Sequence, residues 1–323
     1  MFKKCLLFAL AVLSLLALLS FFGAVPLDVK ELFSGNMESF IFWHIRFPRA
    51  LAGFLVGAIL SLAGLLFQNL FRNDLATPYT LGVSSGAALG AVLAMRLGLG
   101  APLAGLNSVS CGGIVGAIAS LGVLFALARL FRTPSTYVLL MCGVAVNLFF
   151  SALTLFVQYL LDFSGTFSML RWLLGSIYVT GYGNVLLLAC LLAVLALLVA
   201  LFKNELLIIS AGEQFAAVKG IALAPFRNFI LLTVSLVVGS TVAMVGPIGF
   251  IGIMVPYMAR LAGRSNLPRI AVYCVFFGGI LLSLTDFLAR IVISPAEIPV
   301  GIITTFLGVP FFVTILLSRL KNQ

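Results

Sequence analysis

Long apolar runs alternate with short polar breaks along the whole chain, and this pattern predicts transmembrane α-helices. Most runs hold roughly 20 residues, which is the length that an α-helix needs to cross the hydrocarbon core of a bilayer. The breaks between them are rich in Lys, Arg, Asn, Pro and Gly. We predict about ten spans, near residues 5–25, 48–70, 79–96, 109–130, 137–160, 184–202, 226–246, 249–263, 270–290 and 301–318.

Composition agrees with this pattern. Hydrophobic residues make up 63% of the chain and charged residues only 9%, whereas soluble domains carry about 25% charged residues. The fold class is therefore all-α, in a polytopic membrane protein whose residues 1–323 form a single transmembrane domain. The net charge of +10 would suggest nucleic acid in a soluble protein, but here the basic residues sit at the ends of the spans, so we predict no nucleic-acid partner.

The distribution of Lys and Arg also predicts an orientation. With a cytoplasmic N-terminus, most basic residues fall on the inner side of the membrane, as the positive-inside rule requires, and both termini are cytoplasmic. The outer side then keeps Lys30, Arg46, Arg49, Arg96, Arg171 and Arg290. Because each half holds an odd number of spans, the halves, about 1–165 and 166–323, would have inverted topology.

Small residues recur at every fourth position in two neighbouring spans. Pro48 suits a first helical turn, and the span that follows it carries Gly53, Gly57 and Ser61. The next span repeats the step at Gly82, Gly86 and Gly90. Such spacing lets helix backbones approach closely in lipid, so we predict two close-packing faces.

Two segments outside the spans are predicted to be helical. On the outer side, residues 26–47 and 167–176 are expected to form short surface helices, with Trp43 and Trp172 at the membrane interface. On the inner side, residues 203–225 form the longest cytoplasmic loop. Ser210 and Glu213 have the spacing of a capping box, and Gly220 is suited to end the short helix that follows.

Catalytic motifs are missing from the sequence. It contains no Gly-Lys pair, so it has no phosphate-binding loop of the G-x-x-x-x-G-K-[ST] type. His44 is the single histidine, and no His/Cys/carboxylate group has metal-ligand spacing. We therefore predict a protein that is not an enzyme and binds neither ATP nor metal itself.

Asp286 is the one carboxylate well inside a predicted span. Acids in the membrane are functional candidates, which leaves a proton relay open. Arg290 lies one helical turn further on, in the favourable order for an acid and a base, so a structural ion pair is the alternative.

Several motifs occur in a fixed order and resemble those of the FecCD family, the membrane permeases of ABC importers for ferric siderophores, haem and vitamin B12. They are RFPR at 46–49, GAILSLAG at 57–64, QNLFRNDLATP at 68–78, LGVSSGA at 81–87, SAGEQ at 210–214, GPIGFIG at 246–252 and AEIPVG at 296–301. The resemblance extends over nearly the whole chain.

This resemblance implies a vitamin B12-type ABC permease fold, with about ten helices in two inverted halves of five, in the bacterial inner membrane. It implies a dimer with a second permease, either an identical copy or a related chain. It also implies two ATPase subunits, which hold ATP and Mg, and a periplasmic or lipid-anchored substrate-binding protein. The cargo would be an iron-siderophore, haem or a corrinoid.

The resemblance also assigns roles to residues. In relatives, a cytoplasmic helix docks on the ATPase, which points to Gly212, Glu213, Gln214, Phe215 and Val218 for coupling; a solvated loop helix is the alternative. Arginines at the outer motif positions receive carboxylates of the binding protein, which points to Arg46, Arg49 and Arg290. The alternative is that these arginines anchor helix ends at the lipid headgroups.

The translocation pathway of the family lies along the dimer axis, with an inner gate near the loop before the fifth span. Here that loop is 133–136, so Ser135 and Thr136 are gate candidates, although either could simply cap a helix. The fifth span would line the pore with small or weakly polar residues, namely Gly143, Asn147, Ser151 and Thr154.

Two other functional classes stay open. An ion-coupled secondary transporter of a small solute would also fit inverted halves, but it needs coupling carboxylates or broken helices at mid-membrane. A channel or a membrane scaffold would need neither a docking helix inside nor a set of arginines outside.

Overall fold

A computed structural model describes residues 2–22, 36–98, 108–131, 136–161, 163–263, 266–293 and 296–321. Within these ranges the protein is helical and has no strand. The elements are α1 (Phe2–Phe21), α2 (Met37–Phe40), a π-helical turn (Ile41–Arg46), α3 (Phe47–Phe71), α4 (Val83–Arg96), α5 (Ser108–Arg129), α6 (Thr136–Tyr159), α7 (Phe163–Leu173), α8 (Gly183–Leu201), α9 (Lys203–Ala211), α10 (Glu213–Val218), α11 (Leu223–Val245), α12 (Ile251–Gly263), α13 (Leu267–Ile291) and α14 (Val300–Lys321).

The predicted spans correspond to α1, α3, α4, α5, α6, α8, α11, α12, α13 and α14. In the described part, 6 helices are long and apolar enough to cross a membrane by length and composition. Two of the other predicted spans, α4 and α12, are short, with 14 and 13 residues. The all-helical polytopic prediction is confirmed.

Helices α4 and α12 both begin inside the helix bundle. Each is preceded by a non-helical stretch that contains buried residues, for example Leu81 before α4 and Ile248 before α12, both 1% exposed. The two stretches meet, because the backbone N–H of Ile248 donates to the Tyr79 hydroxyl at 2.7 Å. Since α4 and α12 begin inside the protein, fewer helical residues remain to complete each crossing.

Helix contacts repeat between the two halves of the chain. In one set α3 packs against α12 and α13, and in the other α11 packs against α4 and α5. Each half therefore contributes one long helix that packs against a short helix and its successor in the other half. This exchange is the pattern that inverted halves predict.

Close approach of helices occurs where the glycine pattern predicted it. A Cβ added at Gly57 would collide with the backbone carbonyl of Gly278, which joins α3 to α13, and one at Gly90 would collide with the carbonyl of Gly112, which joins α4 to α5. Gly86 packs similarly against Gly116. Gly82 instead precedes α4 with φ +81°, a left-handed conformation that favours glycine.

The outer end of α3 differs from the prediction. Helical structure begins at Met37, well before Pro48, and continues through the π-helical turn into α3. The backbone N–H of Phe47 reaches the carbonyl of Phe42, one residue further back than in an α-helix. The wider turn lies immediately before Pro48, whose ring and missing N–H disrupt a regular helix. The earlier part of the predicted 26–47 segment, residues 26–35, lies outside the described residues.

Candidate functional site

The predicted coupling segment forms a compact pair of short helices, α9 and α10. Ala216 is fully buried and holds α10 against the protein, whereas Phe215 is 50% exposed and Val218 is 85% exposed. Gln214 is exposed as well. Gly220 ends the segment with φ +77°, as predicted.

The predicted capping box is wrong. Ser210 lies within α9, and its hydroxyl donates to the Leu207 carbonyl at 2.7 Å. The N-cap of α10 is Gly212, which has no side chain to offer. Its φ of +151° and ψ of 147° turn the chain between α9 and α10, and that conformation is readily available only to glycine.

Glu213 makes a contact that the sequence did not reveal. The Thr136 hydroxyl donates to its Oε1, and Arg227 Nη1 donates to the same hydroxyl oxygen at 3.4 Å. Thr136 is the first residue of α6, and Arg227 lies in the first turns of α11, where it is 9% exposed. The coupling segment is therefore tied directly to the starts of two spans.

The residues predicted to form the gate and to line the pore lie in different environments. Ser135 lies outside the described residues, and Thr136 engages Glu213 as above. Asn147 and Ser151 are half-buried on α6. Gly143 and Thr154 lie in the interior, where a Cβ on Gly143 would press on Leu81 and the Thr154 hydroxyl donates to the Phe150 carbonyl at 2.8 Å.

The exposed face of α6 is apolar rather than weakly polar. Its most exposed large side chains are Tyr137, Leu148, Phe149, Leu155, Phe156 and Tyr159. Another face of α6 packs on the segment before α4, since Gly143 meets Leu81 and Gly82 meets Val146 and Asn147. Close helix packing therefore accounts for Gly143 and for Thr154, which is 5% exposed.

The three outer arginines are largely buried. Arg46 is 8% exposed, and its Nη1 donates to the Phe21 carbonyl at 3.0 Å, which ties α3 to the end of α1. Arg290 is 7% exposed. The Arg49 side chain is 12% exposed. Their docking role stays a prediction, and each has a structural partner.

Arg49 is the centre of an ionic cluster that joins α3, α13 and the connection between α13 and α14. Its Nε and Nη2 donate to Asp286 Oδ1 at 3.2 and 2.9 Å. Its Nη1 lies 3.0 Å from both carboxylate oxygens of Glu297. On the other side of Asp286, Arg290 Nε lies 3.2 Å from Oδ2.

This cluster confirms the predicted Asp286–Arg290 pair and enlarges it. The carboxylate of Asp286, 1% exposed, lies between two guanidinium groups. That arrangement supports the structural explanation over a proton relay, because both neighbours are permanently charged. The sequence did not reveal that Arg49 binds Asp286 and Glu297, because these residues lie 237 and 248 positions from Arg49 in the chain.

Tyr178 connects the cluster to α7, which was predicted to be a surface helix on the outer side. The Arg49 guanidinium carbon lies 5.7 Å from the Tyr178 ring centroid, and that of Arg171 lies 5.6 Å from it. Arg171 Nη2 also donates to the Tyr178 hydroxyl at 2.7 Å. Such cation–π contacts orient guanidinium groups near a surface.

The described part contains two cavities of note. One of about 550 Å³ lies beside α14 and is lined by apolar side chains such as Leu174, Pro247 and Phe306. Another of about 410 Å³ is polar and lies where α3, α9 and α12 meet, next to Gln68, Arg72 and Arg260.

Comparison with known proteins identifies relatives over most of the chain. The model of the FecCD transport family matches residues 6–318. An ABC transporter permease protein of Bacillus subtilis, YvrB, is 36% identical over 286 residues, 88% of this chain and 80% of the relative. The vitamin B12 import system permease protein BtuC of Citrobacter koseri is 37% identical over 289 residues, 88% of this chain and 85% of the relative.

Solved structures agree on the fold. An ABC transporter assigned to the metal-chelate type, in an inward-facing conformation, superposes with a TM-score of 0.84 at 26% identity and covers 98% of this chain and 99% of its own. PsaBC from Streptococcus pneumoniae, in complex with Fab, gives a TM-score of 0.60 at 18% identity, with 89% and 95% covered. At that identity the second structure supports the fold alone.

Proposed function

The chain belongs to the FecCD transport family of ABC permeases, and on that premise we propose that it imports a metal chelate or corrinoid powered by ATP hydrolysis on separate subunits. The complete transporter would contain a second permease, two ATPase subunits and a binding protein on the outer side. This chain would span the bacterial inner membrane with both termini in the cytoplasm and would contribute no nucleotide site.

The observation that best supports the proposed mechanism is the hydrogen bond from the Thr136 hydroxyl to Glu213. The apolar side chains that α10 exposes, Phe215 and Val218, are suited to a groove on an ATPase subunit. A movement of α10 would be transmitted through Glu213 to the first residue of α6 and, through the Thr136 hydroxyl, to Arg227 on α11. Such a movement changes access only if the ATPase binds the two permease conformations with different affinity.

The cargo is proposed to be an iron-siderophore, haem or a corrinoid. Support comes from the relatives, since BtuC is named for vitamin B12 import and the structural neighbour is described as metal-chelate type. The exposed face of α6 is apolar, and no charged side chain lines the larger cavity. A passage with such weakly binding walls would leave affinity to the binding protein.

Reconstitution tests the proposed function. The tagged chain is purified with the proteins that accompany it, inserted into vesicles with ATP inside, and supplied with labelled cyanocobalamin, haem or a ferric siderophore. We expect accumulation of one cargo that requires both ATP and the binding protein. Accumulation by the chain without an ATPase, abolished by an ionophore, would instead establish the ion-coupled secondary transporter.

Substitution of Glu213 tests the coupling step. Glu213→Arg places a second cation beside Arg227 and removes the acceptor for Thr136, so we expect uptake per ATP hydrolysed to fall roughly tenfold. Thr136→Val should act in the same direction, whereas Thr136→Ser, which keeps the hydroxyl, should behave as wild type. Uptake and phosphate release are measured on the same vesicles, and an unchanged ratio in Glu213→Arg would contradict the assignment.

A further inference from the structure

The hydrogen-bonding edges of Arg49 are already occupied. Its Nε and Nη2 donate hydrogen bonds to Asp286, and its Nη1 donates to both carboxylate oxygens of Glu297. A guanidinium has five N–H donors in a fixed fork, and four bonds to carboxylates are in place here. A carboxylate from another protein can therefore gain a two-oxygen contact with Arg49 only by replacing one of these two acids.

The two acids differ in how firmly they are held. Asp286 is 1% exposed and also faces Arg290, whose Nε lies 3.2 Å from its Oδ2. Glu297 is 32% exposed and lies in the short connection between α13 and α14. Removing Asp286 from the cluster would leave two buried arginines without their carboxylate, whereas Glu297 can turn into solvent at small cost.

We propose that Glu297 is an exchangeable internal carboxylate, which occupies the outward-facing edge of Arg49 until an acidic side chain of a docking protein takes its place. Charge within the cluster favours an acidic partner, because three guanidinium groups face two carboxylates there. Arg49, Arg290 and Arg171, which shares the Tyr178 ring with Arg49, outnumber Asp286 and Glu297. The inference rests on the proposed function, which supplies a binding protein on the outer side as that partner.

Replacement of Glu297 by an acid of the docking protein would also affect the position of α14. The backbone N–H of Ile298, next to Glu297, donates to the Ala289 carbonyl at 3.0 Å and fixes the connection to α13. Val300, the first residue of α14, is 1% exposed, and a Cβ on Gly301 would collide with the Leu174 carbonyl. Because Glu297 lies three residues before α14, releasing it from Arg49 removes one of the contacts that position the start of α14.

A substitution that removes only the charge of Glu297 tests this exchange. The permease–ATPase complex is placed in nanodiscs and titrated with the binding protein that supports uptake by the wild type. In Glu297→Gln the internal competitor is weakened while its shape is kept, so the Kd for the binding protein should fall about two- to fivefold, the effect of a partly exposed ion pair. The gain should shrink at high salt.

A matched control is Glu38→Gln, which makes the same change in net charge on α2 and should leave the Kd unchanged. If Glu297→Gln binds the partner with equal or lower affinity while its thermal stability stays normal, the exchange is refuted. Its failure is distinct from failure of the proposed function, because wild-type uptake driven by ATP and the binding protein is established first. A lower Kd for the binding protein in both variants would show a general effect of net charge and would also refute the exchange.

Discussion

Replacement of Asp286 by alanine should lower the free energy of unfolding by about 3–5 kcal/mol, the cost of breaking a buried ion pair from one side. The substitution leaves Arg49 and Arg290, 12% and 7% exposed, without the carboxylate that lies between them. Glu297 can compensate only in part, because it reaches Arg49 from the exposed side. The measurement is the unfolding of the purified protein in mixed micelles as denaturing detergent is added.

A second ion pair in the same protein provides the control. Arg260 Nη1 lies 2.5 Å from Asp74 Oδ1, and the side chains are 27% and 37% exposed. Asp74→Ala should therefore cost only about 0–1 kcal/mol. Similar losses in the two variants would contradict the conclusion that burial makes the outer cluster essential to the fold. Asp286→Asn, which keeps an oxygen for Arg49, should lie between the two.

Gly57→Ala should lower the free energy of unfolding by about 1–3 kcal/mol, the usual cost of overpacking a closely fitted site. The added methyl group would collide with the backbone carbonyl of Gly278 and approach Leu282 Cβ within 2.8 Å. Neither backbone can move alone, because Ser61 donates to the Cys274 carbonyl at 2.6 Å across the same contact. The same detergent titration measures the loss.

Gly53→Ala is the matched control for this prediction, since it lies one turn earlier on the same helix. Its added methyl group would meet Ile177 Cδ1 at 3.4 Å and Ser283 Oγ at 3.5 Å, which are ordinary contacts. We expect a change within about 0.5 kcal/mol of wild type, or a gain of up to about 1 kcal/mol because alanine favours the helix more than glycine does. Equal losses at both positions would show that the fit between α3 and α13 does not decide the effect.

These two glycines show where sequence reasoning reached its limit. The step of four residues correctly predicted a close-packing face on α3, but it treated Gly53 and Gly57 alike. The backbones of α3 and α13 touch at Gly57 and Gly278 but leave room for a methyl group at Gly53, and this difference depends on how the two helices cross. A periodic pattern gives the face of a helix, whereas the crossing point depends on the partner helix.

The outer cluster shows a second limit. Asp286 and Arg290 were paired correctly because their distance follows from helix geometry. Arg49 and Glu297 could not be added, since nothing in the spacing along the chain brings α3 beside α13. The same reason explains Glu213, whose partner Thr136 lies 77 positions earlier, and Gly143 on α6, which packs against Leu81 before α4.

The amino-acid sequence by itself determined the spans, the faces used for close packing and the family. This was possible because each span must be apolar on its own to lie in lipid, and because small residues are what allow helices to approach there. Only the tertiary structure decided which charges neutralise one another, where α4 and α12 begin, and how α10 reaches the spans. Those features depend on contacts between residues far apart in the chain, and the folded arrangement of helices alone sets such distances.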